Sequence, residues 1–398
     1  MKALLLENIH PIAVESLRER GYDVELRSGS LGEEDLIAAL EGVDLLGIRS
    51  GTHVTQRVIA SASRLASVGC FCIGTNQVDL VAAAHAGLPV FNAPFSNTRS
   101  VVELVMGEII VLARRLTEKN RLMHGGVWDK SAAGAHEVRG RTLGIVGYGN
   151  IGSQLSVLAE SFGMRVVFFD LADKLALGNA KRCESLEQLL AISDTVTLHV
   201  DGRPANADFF GAEQFAQMKP RAMFLNLSRG FIVDEQALVD NLESGHISGA
   251  SLDVFQHEPR KAGDPFVSPL QNVPNVILTP HIGGSTQEAQ EDIGRYVATK
   301  LGDYAESGAT GMCVNLPSVN TEAVQGVRVL HLHRNVPGVL ARLNRTFADH
   351  GANITYQSLA TKGEYGYVVT DLDDLTGALV EELSAMPETV RFRVLEQG

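Results

Sequence analysis

A glycine-rich segment, Gly147–Gly152 with the sequence GYGNIG, places the strongest constraint on how this chain can fold. It follows the apolar run Leu143–Val146 and precedes Ser153–Phe162, whose apolar residues have helical spacing. Glycines at these positions allow a tight turn, a close approach of the backbone to a ligand, and close packing of a helix on a strand. Because the helix N-terminus would face an anion, the segment predicts a strand–turn–helix unit that binds a dinucleotide pyrophosphate.

An acidic residue, Asp170, ends the next predicted strand, Arg165–Phe169. A carboxylate at this place accepts hydrogen bonds from the hydroxyls of the adenosine ribose. It would also repel a phosphate on the ribose 2′ position. The sequence therefore predicts NAD, and not NADP, as the cofactor.

Short apolar strands alternate with helical segments in two regions, which predicts right-handed βαβ units and parallel sheets. In the first region the predicted strands are Ala3–Leu6, Val24–Leu26, Leu45–Ile48, Ser67–Cys72 and Val90–Asn92. In the second they are Thr142–Val146, Arg165–Phe169, Thr195–Leu198, Ala222–Leu227, Gly249–Val254 and Asn275–Leu278. Capping boxes at Ser100 and Ser285 predict the starts of two long helices.

The pattern changes after a linker-like stretch rich in Gly, Pro, Ser and Asn at 307–321. The order of elements becomes βαββαβ, which is the ferredoxin-like arrangement. The predicted elements are Val327–His331, Pro337–Asp349, Ile354–Ala360, Tyr365–Leu372, Asp374–Met386 and Val390–Leu395. We expect a small, separate C-terminal domain.

Composition excludes several classes of protein. With 34 Lys and Arg against 47 Asp and Glu, the net charge of −13 argues against a general nucleic-acid binder. No run approaches the roughly 20 apolar residues of a membrane span, and polar residues interrupt the apolar N-terminus before a signal peptide could form. The four cysteines lack the paired spacing of a zinc site. We therefore expect no metal, no membrane contact and a reducing cytoplasmic location.

Three candidate catalytic residues follow later strands of the second region: Arg229, Glu258 and His281. Oxidation of a 2-hydroxyacid needs a base for the hydroxyl proton, and histidine suits that role near neutral pH. A carboxylate should orient the base and stabilise its imidazolium form. A guanidinium can bind the substrate carboxylate through two parallel hydrogen bonds. His281, Glu258 and Arg229 fit these three roles in that order.

With this fingerprint and these three residues in this order, the chain resembles the D-isomer-specific 2-hydroxyacid dehydrogenases over nearly its whole length. Similar stretches are Cys70–Asp79, Phe91–Ser100, Leu143–Gly152 and His281–Glu291. The resemblance implies an α/β fold in which a Rossmann-like cofactor domain, 97–283, is inserted into a flavodoxin-like substrate domain, 1–96 and 284–325. It further implies a C-terminal, ferredoxin-like ACT domain at 326–398.

The resemblance also implies roles for individual residues. Those expected to bind NAD are Gly147, Gly149, Asn150, Ile151, Gly152, Asp170, Leu227, Ser228, Arg229, Asp253, His281, Ile282, Gly283 and Gly284. Those expected to bind substrate are Arg49, Ser50 and Asn97, and those expected to bind an effector in the ACT domain are His333, Asn335 and Asn353. The effector that it implies is L-serine.

The implied activity is oxidation of D-3-phosphoglycerate to 3-phosphohydroxypyruvate, the first step of L-serine biosynthesis, by a homotetramer under feedback control. Two departures bear on this expectation: Gly51 stands where similar chains carry Arg, and Asp201 stands where they carry Pro. An alternative is therefore an NAD-dependent reductase of glyoxylate, hydroxypyruvate or 2-oxoglutarate. A second alternative, from another class, is a non-catalytic, NAD-sensing interaction protein.

Overall fold

A computed structural model describes residues 1–259, 263–321, 324 and 326–396. The chain divides into two compact units, one formed by Met1–Ser96 with Gln290–Gly398 and the other by Asn97–Ala289. The described residues contain no helix with the combined length and apolarity needed to cross a lipid bilayer.

The first unit begins with a five-stranded parallel sheet of strand order β2-β1-β3-β4-β5. Its strands are β1 (Lys2–Leu5), β2 (Asp23–Leu26), β3 (Leu45–Ile48), β4 (Ser67–Cys70) and β5 (Val90–Asn92). The helices between them are α1 (Pro11–Glu19), α2 (Glu33–Ala39), α3 (Gln56–Ser61) and α4 (Leu80–His85). Every residue of β3 and β4 is buried, as expected for a parallel sheet covered on both faces.

The second unit contains a seven-stranded parallel sheet of strand order β12-β11-β10-β9-β6-β7-β8. Its strands are β6 (Thr142–Val146), β7 (Arg165–Phe169), β8 (Lys181–Arg182), β9 (Thr195–Leu198), β10 (Ala222–Asn226), β11 (Ile247–Leu252) and β12 (Val276–Leu278). Its helices are α5 (Thr98–Ala113), α6 (Leu116–His124), α7 (Asn150–Ser161), α8 (Leu186–Ile192), α9 (Ala212–Gln217) and α10 (Glu235–Glu243), with short 3₁₀ turns at Pro204–Asn206 and Gly230–Ile232.

The long helix α11 (Gln287–Ser307) precedes the C-terminal elements of the chain. These are β13 (Val327–Arg334), α12 (Val339–Asp349), β14 (Ile354–Lys362), β15 (Tyr365–Leu372), α13 (Gly377–Ser384) and β16 (Thr389–Glu396). The four strands form an antiparallel sheet of order β14-β15-β13-β16. The predicted fold class, with two parallel sheets and a ferredoxin-like C-terminal sheet, is confirmed.

The predicted helix starts were wrong at three places, and side-chain contacts explain two of them. Helix α5 begins two residues before Ser100, whose hydroxyl donates to the carbonyl of Gly283 (2.6 Å) and does not cap the helix. Helix α11 is capped by Thr286, one residue after Ser285, because the Thr286 hydroxyl accepts the N–H of Ala289 (3.2 Å).

The third error concerns α12, which was predicted to carry Pro337 in its first turn. The residue at its N-cap is Gly338, with a φ of 92°. A left-handed residue cannot belong to the helix, so Pro337 lies outside it.

Candidate active site

The predicted cofactor loop forms where β6 meets α7, and two of its glycines are required by close contacts. Gly147 has a φ of 93°, and a Cβ there would lie 2.5 Å from the carbonyl oxygen of His199. A Cβ on Gly152 would lie 2.4 Å from the carbonyl oxygen of Gly147. A side chain at Gly147 would push the turn away from the residues after the neighbouring strand. A side chain at Gly152 would force the turn itself to open.

The space beyond the loop fits the phosphates of a dinucleotide. Gly149 occupies the N-cap of α7, where it makes no side-chain cap, so the first N–H groups of the helix keep their hydrogen-bonding capacity. A Cβ on Gly149 would meet no atom within 4 Å. An anion can therefore approach the positive end of the helix closely, and Asn150 and Ile151 form its first turn.

The Asp170 carboxylate is fixed beside this loop. Its Oδ2 accepts the N–H of Tyr148 (2.8 Å), and its Oδ1 accepts the N–H of Ala172 (2.8 Å). Each carboxylate oxygen can accept more than one hydrogen bond, so both retain capacity for ribose hydroxyls. Because the Tyr148 contact links the carboxylate to the glycine loop, the sequence-predicted ribose and pyrophosphate residues lie side by side.

The loop that carries Arg229 is held by a buried amide that the sequence interpretation did not select. Asn226, fully buried, accepts the N–H (3.1 Å) and hydroxyl (2.7 Å) of Ser228 and donates to the carbonyl of Arg229 (3.0 Å). A Cβ on Gly230 would lie 2.0 Å from the Phe255 backbone, so glycine is needed for the Arg229 loop to lie against the next one. The signal for Asn226 was available, since it ends a buried strand.

Asp253 holds the loop that carries His281. Its Oδ1 accepts the hydroxyl of Thr279 (2.6 Å) and the N–H of Ile282 (2.8 Å), and its Oδ2 accepts the N–H of Gly283 (2.7 Å). Its exposed fraction is only 1%. Asp253 was predicted to contact NAD; in the structure its carboxylate supports the loop that carries His281.

His281 and Glu258 form a hydrogen bond of 2.8 Å between Nδ1 and Oε2. This bond raises the pKa of His281 against the opposing effect of burial, and the charges of Glu258 and Asp253 raise it further while Arg229 lowers it. Burial raises the pKa of Glu258, but the bond to His281 and the neighbouring positive charges outweigh it, so the net shift is downward. The pair therefore favours a carboxylate beside a readily protonated imidazole.

His281 has a φ of 55°, in the left-handed region that non-glycine residues seldom adopt. Its N–H donates to the carbonyl of Thr279 (3.0 Å) across Pro280, and Asp253 fixes the next two N–H groups. Strained residues persist where the surroundings over-determine them, and they concentrate at functional sites. Nε2 of His281 makes no hydrogen bond to any described residue, so it can exchange a proton with a ligand.

The first turn of α5 supports the same loop. Ser100 bonds to Gly283, and a Cβ on Gly284 would lie 2.5 Å from the amide nitrogen of Asn97. The Asn97 side chain makes no cap to α5, and its Oδ1 is buried without a partner among the described residues. Of the predicted substrate residues, Asn97 thus lies beside the loop that carries His281, within the second unit.

Arg49 and Ser50 belong to the first unit and follow β3 directly. The side-chain partners of Arg49 among the described residues, Glu7 and Gln77, bind its main-chain N–H and C=O and not its guanidinium. The loop they lie on, Arg49–Thr52, carries the Gly51 departure noted in the sequence.

A cavity of about 410 Å³ lies in the C-terminal part of the first unit, between the end of β13 and α12. Two of the predicted effector residues, His333 and Asn335, line it, together with Leu340, Asn344 and Leu359. Asn353 is not among its lining residues. Its amide instead donates to the carboxylate of Asp373 (2.7 Å).

Known proteins with similar sequences include NAD-binding dehydrogenase domains and ACT domains, as the fold and the glycine loop indicate. Residues 106–283 match the family described as D-isomer specific 2-hydroxyacid dehydrogenase, NAD binding domain, and residues 329–391 match an AHAS small subunit-like ACT domain. The chain is 50% identical to D-3-phosphoglycerate dehydrogenase of Escherichia coli, over 99% of this chain and 97% of that protein. It is 46% identical to D-3-phosphoglycerate dehydrogenase 2 of Saccharomyces cerevisiae, over 99% and 87%.

Among solved structures, the TT0316 protein of Thermus thermophilus is similar with a TM-score of 0.69 and 32% identity, over 76% of this chain and 96% of that one. The fold and site define an NAD-dependent dehydrogenase that acts on 2-hydroxyacids. The chain belongs to the D-isomer-specific 2-hydroxyacid dehydrogenase family and carries a C-terminal ACT domain.

Proposed function

We propose that this protein oxidises D-3-phosphoglycerate to 3-phosphohydroxypyruvate with NAD, as the first step of L-serine biosynthesis. The observation that carries the chemistry is the 2.8 Å contact between His281 Nδ1 and Glu258, which leaves Nε2 for the substrate. The choice of substrate is supported by full-length similarity to proteins named D-3-phosphoglycerate dehydrogenase.

In this mechanism His281 accepts the proton of the substrate C2 hydroxyl at Nε2, and Glu258 stabilises the resulting imidazolium. Arg229 binds the substrate carboxylate, with its guanidinium well suited to two parallel hydrogen bonds. NAD, when bound, supplies the acceptor for the hydride that leaves C2. In the reverse direction His281 returns its proton to the carbonyl oxygen of the 2-oxoacid.

The variant H281A tests this assignment. We expect it to abolish turnover of 3-phosphohydroxypyruvate, while NADH still binds. Full activity in H281A would remove His281 from the mechanism. His257, an exposed residue of the neighbouring loop, gives a matched control as H257A.

A reductase of an unphosphorylated 2-oxoacid is the second candidate function, and Gly51 is the observation that favours it. Without a side chain at this position, Arg49 supplies the one guanidinium of the loop Arg49–Thr52. A comparison of kcat/KM for 3-phosphohydroxypyruvate, hydroxypyruvate, glyoxylate and 2-oxoglutarate separates the two functions. Competition by inorganic phosphate would support the phosphorylated substrate, and a preference for glyoxylate or hydroxypyruvate would overturn it.

We also propose that L-serine binds the cavity beside His333. Nδ1 of His333 lies 2.8 Å from the carbonyl oxygen of Arg334, so it is the protonated nitrogen, and buried Nε2 is left as an acceptor without a partner among the described residues. A ligand there must offer a hydrogen-bond donor. An amino acid with a hydroxyl offers two kinds of donor, its ammonium group and its hydroxyl group. We expect millimolar L-serine to suppress NADH oxidation in the wild type and not in H333A.

The remaining assignments follow from the proposed reaction. We propose that 97–283 is the cofactor domain, that 1–96 with 284–325 is the substrate domain, and that 326–398 is regulatory. We expect the enzyme to act in the cytoplasm as a homotetramer. Exposed apolar side chains at Leu116, Met123, Val127 and Trp128 supply a surface suited to a second copy. Sedimentation analysis of the purified protein would measure its oligomeric state.

A further inference from the structure

A carboxylate of the chain itself binds the N–H groups of the loop Arg49–Thr52. Oε1 of Glu7 accepts the N–H of Arg49 (3.1 Å) and of Thr52 (2.9 Å), and Oε2 accepts the N–H of Gly51 (2.7 Å). Convergent backbone N–H groups of this kind form an anion-binding concavity. Here the anion is internal, so these donors are not available to a substrate.

The backbone at Glu7 has an unusual conformation that directs its side chain to this loop. Glu7 and Asn8 have φ values of 62° and 53°, so two consecutive non-glycine residues are left-handed. The N–H of Glu7 donates to the carbonyl of Gly29 (3.2 Å), which helps to hold the turn. Because β1 pairs directly with β3, a residue just after β1 lies next to the loop that follows β3.

Gln77 holds the same loop through its carbonyl side. Its Nε2 donates to the carbonyl of Arg49 (2.7 Å) and lies 3.3 Å from the carbonyl of Gly74. The side chain is almost fully buried, with 4% of the residue exposed. The N–H and C=O groups of Arg49 are therefore both fixed, and the guanidinium is the part of the residue that is left to bind a ligand.

We propose that Glu7 is a positioning residue of the substrate site. Together with Gln77 it holds the loop Arg49–Thr52 so that the Arg49 guanidinium and the Ser50 hydroxyl face the anionic end of the substrate. This inference rests on the proposed function, which assigns Arg49 and Ser50 to substrate binding. It explains why the loop needs a carboxylate, because three N–H donors require an acceptor with several lone pairs.

The variant E7Q tests the proposal with little change of shape. The amide of Gln has one acceptor oxygen and one NH₂ donor. At least one N–H of the loop would then face this NH₂ group and lose its acceptor. We expect KM for 3-phosphohydroxypyruvate to rise roughly tenfold or more, the effect of one lost charge-assisted hydrogen bond. The NADH dissociation constant should stay near the wild-type value, and the thermal midpoint should fall by no more than a few degrees. The exposed Glu15 of α1 provides the control E15Q.

Two results would overturn the proposal. One is an unchanged KM in E7Q. The other is a parallel loss of NADH affinity and thermal stability, which would make Glu7 merely structural. If the wild type prefers an unphosphorylated 2-oxoacid, the proposed function fails, and the KM of E7Q for that acid still tests Glu7.

Hydrogen exchange supplies a readout that needs no turnover. In E7Q the amides of Arg49, Gly51 and Thr52 should exchange faster than in the wild type or in E15Q. Unchanged exchange at all three amides would contradict the role of Glu7 whatever the substrate is.

Discussion

Nδ1 of His281 lies 2.8 Å from Oε2 of Glu258, and the two residues belong to loops that follow β12 and β11 of one sheet. The loops are adjacent because Asp253, just after β11, binds the Thr279 hydroxyl and two N–H groups of the loop after β12. The geometry fixes one imidazole nitrogen and leaves the other for proton transfer. The His281–Glu258 contact therefore depends on a buried carboxylate, Asp253, that holds the two loops together.

Substitution of Glu258 should change the pH dependence of the reaction. The bond to Glu258 raises the pKa of His281, so E258Q should lower that pKa. Reduction of a 2-oxoacid needs protonated His281, and its kcat/KM should therefore fall at a lower pH in E258Q than in the wild type. We also expect kcat to drop by roughly 10² or more, because the base loses its orientation. Rate profiles between about pH 5 and 9 measure both effects, and coincident profiles would contradict the role of Glu258.

Arg229 should bind the substrate through its fork of two N–H groups and not by charge alone. We therefore expect R229K to lower kcat/KM for 3-phosphohydroxypyruvate by roughly 10- to 100-fold, the range for a lost charge-assisted hydrogen bond. NADH affinity should change much less. R139K is a matched control, since Arg139 is an exposed residue paired with Glu137. A KM that stays at the wild-type value in R229K would rule out carboxylate binding by Arg229.

Asp170 should set the preference for NADH over NADPH. Its carboxylate, fixed by Tyr148 and Ala172, would repel a 2′-phosphate. We expect D170N to weaken NADH binding and to narrow the ratio of the NADPH and NADH dissociation constants by roughly tenfold or more. The exposed Asp173, paired with Arg182, supplies the control D173N. An unchanged ratio in D170N would show that Asp170 does not determine the preference for NADH over NADPH.

Glu108, on the buried face of α5, should make stability depend on pH. The pKa of Glu108 is raised to about 7, because burial and the charge of Asp253 together outweigh the lowering effect of the Ser251 hydroxyl. Since the folded-state pKa exceeds that of the unfolded chain, stability is retained below about pH 4.5 and lost as the pH rises towards 7. The loss is roughly 3 kcal/mol.

The variant E108Q should not show this loss. The free energy of unfolding of E108Q minus that of the wild type should therefore increase between about pH 5 and 8, as measured by urea denaturation at each pH. Because the comparison uses the change in this difference between the two pH values, any pH-independent cost of burying the amide cancels. Curves for the two proteins that stay parallel across this range would show that Glu108 does not titrate as described.

Much of the fold could be predicted because buried parallel strands are continuous apolar runs. The bounds of β6, β7 and β9 agree with the sequence prediction residue for residue. Helix starts were harder, because the side chain that looks like a cap can have another partner. Ser100 is the clear case, with its hydroxyl on the carbonyl of Gly283, far along the chain.

The supporting residues of the site were missed for the same physical reason. Glu7 and Gln77 act through bonds to a loop more than twenty residues away, and no local pattern marks such contacts. Arg49 was selected through the family resemblance, which implied no role for Glu7. Asn226 and Asp253 are both buried and bind main-chain groups of their loops, which the sequence does not show for Asp253.

The most direct test of the account is the rate of NADH oxidation by the wild-type protein with 3-phosphohydroxypyruvate. We predict rapid oxidation, with a turnover number in the ordinary range for enzymes of roughly 1–10³ s⁻¹. Tight binding of NADH without oxidation, with this substrate and with unphosphorylated 2-oxoacids alike, would contradict it and point to an NAD-sensing protein instead.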